Sequence, residues 1–152
     1  MKVVLLGGAG LFGRTVINAY AAHLPETCEF VIADYDYRTA RKMARRLGDR
    51  FSARMVDASS PESLDKAARD GSVIVSLVGP WYRFGEQVIE GSMRGGHPIV
   101  AANMARVSIG GGKEELLKEK GIPCITGVSL LPGALDLIAG SLIEAYPRAG
   151  EV

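Results

Sequence analysis

Residues 3–17 read Val3-Val4-Leu5-Leu6-Gly7-Gly8-Ala9-Gly10-Leu11-Phe12-Gly13-Arg14-Thr15-Val16-Ile17. Four consecutive apolar residues without alternation fit a strand covered on both faces. A glycine-rich turn follows, carrying G-x-G-x-x-G at Gly8, Gly10 and Gly13, and then a helix-forming run. In a chain with 19 glycines that spacing alone is weak evidence. Here a buried strand precedes it, a helix follows it, and Asp34 closes the second strand about 20 residues later, the three contexts a dinucleotide-binding turn requires. Gly8 is expected to permit the tight turn, Gly10 to let backbone approach a pyrophosphate, and Gly13 to let the helix pack close to the strand. Amides at the helix start, near Leu11 and Phe12 with Ala9 beside them, then meet an anionic diphosphate along the positive end of the helix dipole. A glycine-rich turn that binds nothing is the other reading of the same residues.

Outward from this turn, short apolar runs alternate with segments of helical period. Strands are predicted at Lys2–Leu6, Glu29–Ala33, Ala53–Val56, Val73–Val78, Pro98–Ala101 and Pro123–Thr126. Between them, Ala40, Met43, Ala44 and Leu47 recur at helical spacing, as do Gly85, Val88, Ile89, Ser92 and Met93. Ser60-Pro61-Glu62 is a helix start, with serine as cap, proline in the first turn and an acid facing the dipole. Lys113–Lys120 and Gly133–Tyr146 complete the helices. Such alternation predicts an α/β fold, a doubly wound parallel sheet of about six strands in the order 3-2-1-4-5-6 with helices on both faces. Residues 1–152 read as one domain.

Composition narrows the function. Eighteen basic and 17 acidic residues leave a net charge of +1, and 47% of residues are hydrophobic. That is a globular core without the charge excess of a nucleic-acid or membrane-surface binder. The seven basic residues from Arg38 to Arg54 are preceded by Asp34 and Asp36 and interrupted by Asp49, and stacking aromatics are few. No apolar run reaches membrane-spanning length. Two cysteines, Cys28 and Cys124, make no disulfide scaffold, so the expected location is cytoplasmic. His23 and His97 lack the neighbours of a metal site, and no metal is expected. Neither a G-x-S-x-G elbow nor a complete P-loop occurs.

Asp34 bears on cofactor choice. A carboxylate there accepts from the ribose hydroxyls of NAD and repels a 2′-phosphate. The following turn, beyond Tyr35, holds Arg38, Arg41 and Lys42, and arginine is a common phosphate clamp, so NADP stays open beside the expected NAD. Equally, Arg38, Lys42 and Arg45 fit the solvated face of a helix. Asp57, after the third strand, is placed to reach an adenine amino group or to serve as a turn residue before Ser60.

The segment Gly79-Pro80-Trp81-Tyr82-Arg83-Phe84-Gly85-Glu86-Gln87-Val88 resembles the G-P-[YW]-x-x-x-G-x-x-V stretch of the saccharopine dehydrogenase-like oxidoreductases. Gly127-Val128-Ser129-Leu130-Leu131-Pro132-Gly133 is similar to that family's later glycine-x-x-PG element. The resemblance implies a Rossmann-type NAD(P)-binding domain with a separate domain for substrate binding and dimerisation. It implies that Gly79 and Pro80 line the ribose and pyrophosphate, that Trp81, Tyr82 and Arg83 lie beside the nicotinamide, and that Asn103 sits near the nicotinamide ribose. For Trp81 and Tyr82 ordinary packing is the competing role, and for Arg83 either a substrate carboxylate or a solvated helix turn.

Two departures limit the transfer. Many relatives carry an aspartate after the fifth strand where this chain has Ala102-Asn103, and an Asp-Pro-Gly element where it has Leu131-Pro132-Gly133. The family's particular substrates are therefore not carried over, and no general acid or base is assigned. The expected whole is an NAD(P)-dependent oxidoreductase moving a hydride to or from a carbonyl, imine or enoyl substrate. This chain alone is expected to be inactive without a C-terminal substrate domain, and a homodimer is an open possibility. The rival reading is a non-catalytic dinucleotide sensor or interaction module.

Overall fold

Strand β1 (Lys2–Leu6) shows why its sequence does not alternate. Val4 and Leu6 point into one apolar layer, Val3 and Leu5 into the other, and all four are buried. The computed structural model describes residues 1–20, 23, 25–102, 112–129 and 133–146. In chain order, β1 is followed by α1 (Leu11–Tyr20), β2 (Glu29–Asp34), α2 (Tyr37–Leu47), β3 (Phe51–Met55), α3 (Pro61–Ala68) and β4 (Val73–Ser76). Then come α4 (Trp81–Gly95), β5 (Ile99–Ala101), α5 (Lys113–Glu119), β6 (Cys124–Ile125) and α6 (Ala134–Ala145). The strands form one parallel sheet in the order β3-β2-β1-β4-β5-β6, the predicted doubly wound topology.

The two faces have separate cores. On one, Ile17 of α1 and Ala40, Met43 and Ala44 of α2 cover Val3, Leu5, Phe30 and Ile32. On the other, Leu64 of α3, Val88, Ile89 and Met93 of α4, and Leu117 of α5 cover Val4, Leu6, Val31, Ile74 and Ile99. Helix ends follow the sequence signals. Ser60 accepts the Ser63 amide at 3.2 Å with Pro61 behind it, and Asp36 accepts the Thr39 amide at 3.1 Å. Pro98 and Pro123 stand just before β5 and β6, where their carbonyls accept from Ile74 and Ile99 and no amide is needed.

Several strand boundaries differ from the sequence expectation by one residue, and two differ by two. β3 begins at Phe51 because its ring stacks on Phe30 of β2, 4.9 Å between centroids. β4 ends at Ser76; the Leu77 amide still donates to the Leu6 carbonyl at 2.8 Å, and Leu77 and Val78 become wall of the site described below. Among the described residues no helix is long and apolar enough to cross a membrane. Helix α6 stands apart from both cores: none of its residues is buried, and Leu137 is 76% exposed.

Asp70, in the turn before β4, ties strands to helix. It accepts from Arg54 at 2.7 Å and Lys2 at 2.9 Å, while Arg54 also donates to the Ala67 carbonyl. These bonds, Arg54's foremost, hold the Asp70 carboxyl far below the ordinary carboxylate range. A carboxyl depressed in the folded state stabilises above its unfolded pKa, roughly 3.9, and that contribution is lost as pH falls further. Asp70 is 42% exposed, so solvent screens the effect. Asp70→Asn is expected to lower stability at neutral pH and to flatten the fall of the urea midpoint below about pH 4. An unchanged acid slope would show that the carboxylate does not act this way.

Candidate functional site

The turn after β1 is built by backbone contacts that admit no side chain. Gly7 has φ of 75°, and a Cβ there would lie 3.0 Å from the Leu77 backbone. The tight turn therefore belongs to Gly7, one residue before the position expected for it. Gly8 instead packs flat on the strand, where a Cβ would come within 2.9 Å of the Leu5 carbonyl. Gly13 has its expected role: a Cβ would lie 2.2 Å from the Gly8 oxygen, so α1 sits directly on the end of β1.

This seating aims the head of α1 at open space. The Gly10 amide is used by Gly7 and the Ala9 amide by Asp34, but Leu11 and Phe12, the first two residues of α1, have amides with no partner among the described residues. Both side chains point away, Leu11 being 81% exposed. Unpaired amides at a helix N-terminus, with only a glycine in front, are a ready-made anion site.

The opening continues as a cleft of about 520 Å³ across the carboxyl ends of β1, β2, β3 and β4. It is lined by Gly7 and Gly10, by Asp34 and Tyr35, by Val56 to Ser59, by Leu77 to Gly79, and by Arg83 and Phe84. Five expected residues thus meet there: Gly10, Asp34, Tyr35, Asp57 and Gly79. Gly8, Ala9 and Gly13 shape the loop from behind. Pro80 caps α4 through a cis bond from Gly79 and does not line the cleft. Arg38 is exposed in the first turn of α2, outside the cleft, and Asn103 lies outside the described residues.

Asp34 has a fixed orientation. One carboxylate oxygen accepts the Ala9 amide at 2.9 Å and the other accepts the Asp36 amide at 3.0 Å. The acid locks the glycine turn to the end of β2 while keeping spare lone pairs toward the cleft. Asp57 closes a turn of its own, accepting the Ser59 hydroxyl at 2.6 Å and the Ser59 amide at 2.9 Å. Those bonds hold its carboxyl below the usual range, with a smaller part from the charge of Arg83. Arg83 also lines the cleft, where its charge is felt at Asp57. Its guanidinium lies 5.0 Å from the Phe84 ring centroid. Trp81 packs on the core and covers Gly85, whereas Tyr82 is 91% exposed and meets nothing in the cleft.

Over residues 3–116 the chain matches the family described as saccharopine dehydrogenase NADP binding domain. It belongs to that family. The resemblance drawn from the glycine motif and the Gly-Pro-Trp segment holds. A search of curated proteins gives no match. Among solved structures, the family domain is similar to saccharopine dehydrogenase (L-Glu forming) of Saccharomyces cerevisiae, with TM-score 0.78 and 27% identity. That alignment covers 98% of this chain and 32% of the yeast chain. The NADP(H) complex of Citrobacter sp. triphenylmethane reductase gives TM-score 0.62 at 20% identity, covering 83% of this chain and 48% of that one. The NADPH complex of an Escherichia coli NADPH-dependent quinone oxidoreductase gives 0.61 at 18%, covering 82% and 47%. The latter two establish the fold. The family domain spans about a third of the yeast enzyme's length.

Asp34→Asn keeps the shape but turns one acceptor into a donor facing an amide. The expected cost is about 1.5–3 kcal/mol of stability, one charge-assisted hydrogen bond, measured by urea unfolding. A variant as stable as the parent would show that the carboxylate does not lock the turn.

Proposed function

We propose that this domain binds a nicotinamide dinucleotide across its cleft and serves as the cofactor half of an oxidoreductase. The single observation that carries the reading is the pair of unpartnered amides at Leu11 and Phe12, opening past Gly10. A diphosphate there takes the amides and the helix dipole together. Asp34 would accept from the adenosine ribose, and Asp57 with Arg83 would border the adenine. Val78 and Gly79 would flank the ribose and nicotinamide side, where ligands of doubly wound sheets collect. The bound nicotinamide supplies the hydride; the chain's residues bind it, orient it and keep one of its faces covered.

Asp34 taken alone favours NAD(H). Two observations argue against making it the sole arbiter. Its oxygens already accept two amides, which partly offsets its charge, and the family is described as NADP binding. The proposal is therefore binding of either dinucleotide, with preference set by groups beyond Asp34. Acceptance of the hydride by a carbonyl, imine or activated alkene is proposed for a protein that also holds a substrate domain, for which the exposed apolar face of α6 offers a seat.

Calorimetric titration with NADH and NADPH is expected to give saturable binding with little turnover by this chain alone. Leu11→Pro removes one free amide, yet proline suits the first helical position, so the fold should survive. The expected result is unchanged thermal stability with dinucleotide affinity reduced about ten-fold, one hydrogen bond to a charged group. Flat titrations with both dinucleotides on the parent chain would defeat the reading.

A further inference from the structure

Helix α2 reads YRTARKMARRL and contains no acid. Its cations divide between two faces. Lys42 and Arg46 look toward Arg14 of α1. Arg41 and Arg45, one turn apart, look over a groove of about 470 Å³ between α2 and β3, at the outer edge of the sheet. Tyr37, Ala44 and Phe51 give this groove apolar walls, and none of its lining residues belongs to the dinucleotide cleft. Asp49 is the one acid in the lining. Among the described residues neither arginine pairs with it or with any other acid, although Lys2, Arg54, Arg94, Lys113 and Lys118 all have acidic partners.

Beside the two arginines runs an open strand. β3 pairs with β2 from Phe51 to Met55 without a bulge, and among the described residues no strand lies on its other side. The Arg50 carbonyl accepts from Phe30, and the Val56 amide donates to Asp34. By the alternation of a ladder the backbone of Ser52 and Arg54 also turns to β2, so that of Ala53 and Met55 turns outward. Edge strands are ordinarily blunted by proline, a bulge or a charge on the edge. β3 has no proline, and its one charge, Arg54, is drawn to α3 by Asp70 and the Ala67 carbonyl.

We infer that this edge takes up an extended acidic segment of another protein as an added strand, with its carboxylates on Arg41 and Arg45. The spacing fits. Residues four apart on a helix are separated by about 6 Å along its axis, and alternate residues of a strand by about 7 Å. Acids at every second position of an added strand therefore meet the two arginines in turn, each through a forked guanidinium. The backbone of the segment meanwhile bonds the outward groups of Ala53 and Met55, as in other strand additions. A second copy of this chain suits the seat less well, because a two-fold pairing of β3 with itself sets two acid-free α2 helices side by side. The inference does not depend on the dinucleotide reading of the cleft.

The test is fluorescence anisotropy of the parent chain with a labelled, capped Glu-Thr-Glu-Thr-Glu-Thr-Glu peptide and with a peptide of the same composition whose glutamates are contiguous. The alternating peptide is expected to bind about five-fold or more tightly, since only its acids match the arginine spacing. Arg41→Ala/Arg45→Ala should weaken it about ten-fold. Both replaced residues are exposed, and thermal unfolding checks that the variant is folded. Two further peptides need no variant: N-methylation of the threonine amides in one and of the glutamate amides in the other. Only the set that faces β3 should weaken binding to the parent, because the other set faces solvent. Equal affinity for the alternating and contiguous peptides would overturn the inference, showing only attraction to a basic helix. So would no binding, no loss in the variant, or equal loss from both methylations. Tighter binding of an oligouridylate of equal charge would overturn it in favour of a nucleic-acid surface, and dimerisation of the parent that excludes the peptide would give the edge to a second copy.

Discussion

Helix α1 rests on the end of β1 with no side chain between them, Gly13 against Gly8, and the rest of the site depends on that contact. A methyl group at Gly13 would collide with the Gly8 carbonyl, so the helix would have to lift and its first amides would move off the cleft. Everything that makes the opening suited to an anion follows from this closeness: the direction of the helix, the bare approach over Gly10, and the unpaired amides of Leu11 and Phe12. Asp34 completes the arrangement by fastening Ala9 to the second strand.

Asp34 illustrates how one residue serves structure and recognition together. Its carboxylate is anchored by two backbone amides, so it cannot swing away when a ligand arrives. Anchoring makes it a fixed acceptor for a ribose and also lessens its charge as felt by a neighbouring phosphate.

The fold was legible in the sequence because local signals agreed with one another. Unbroken apolar runs marked strands covered on both sides, Ser60-Pro61 marked a helix start, and the glycine motif fixed where the first helix begins. What escaped the sequence depends on contacts between distant segments. Gly7 has no room for a side chain because the Leu77 backbone, just past β4, lies against it, and no spacing rule within residues 7–13 reports that. Arg14 reads as an ordinary surface residue until α2 lies across from it. Arg83 lines the same cleft as Asp57, a placement that follows from where α4 starts relative to the third strand. The basic run on α2 was visible from the start; which of its faces looks toward α1 was not.

Strand order also constrains how the molecule comes into being. β1 pairs with β2 through residues such as Val3 and Phe30, so the first half of the sheet can close once the chain has emerged to β3. Its other neighbour is β4, whose partner for Val3 is Val73. During synthesis the strand at the centre of the finished sheet therefore spends an interval as an uncovered apolar edge, the kind of surface on which nascent chains pair wrongly with one another. The same long-range closure makes folding slow relative to a helical bundle of similar size. A cleft formed at the carboxyl ends of β1 to β4 thus becomes complete only once β4 has joined the sheet.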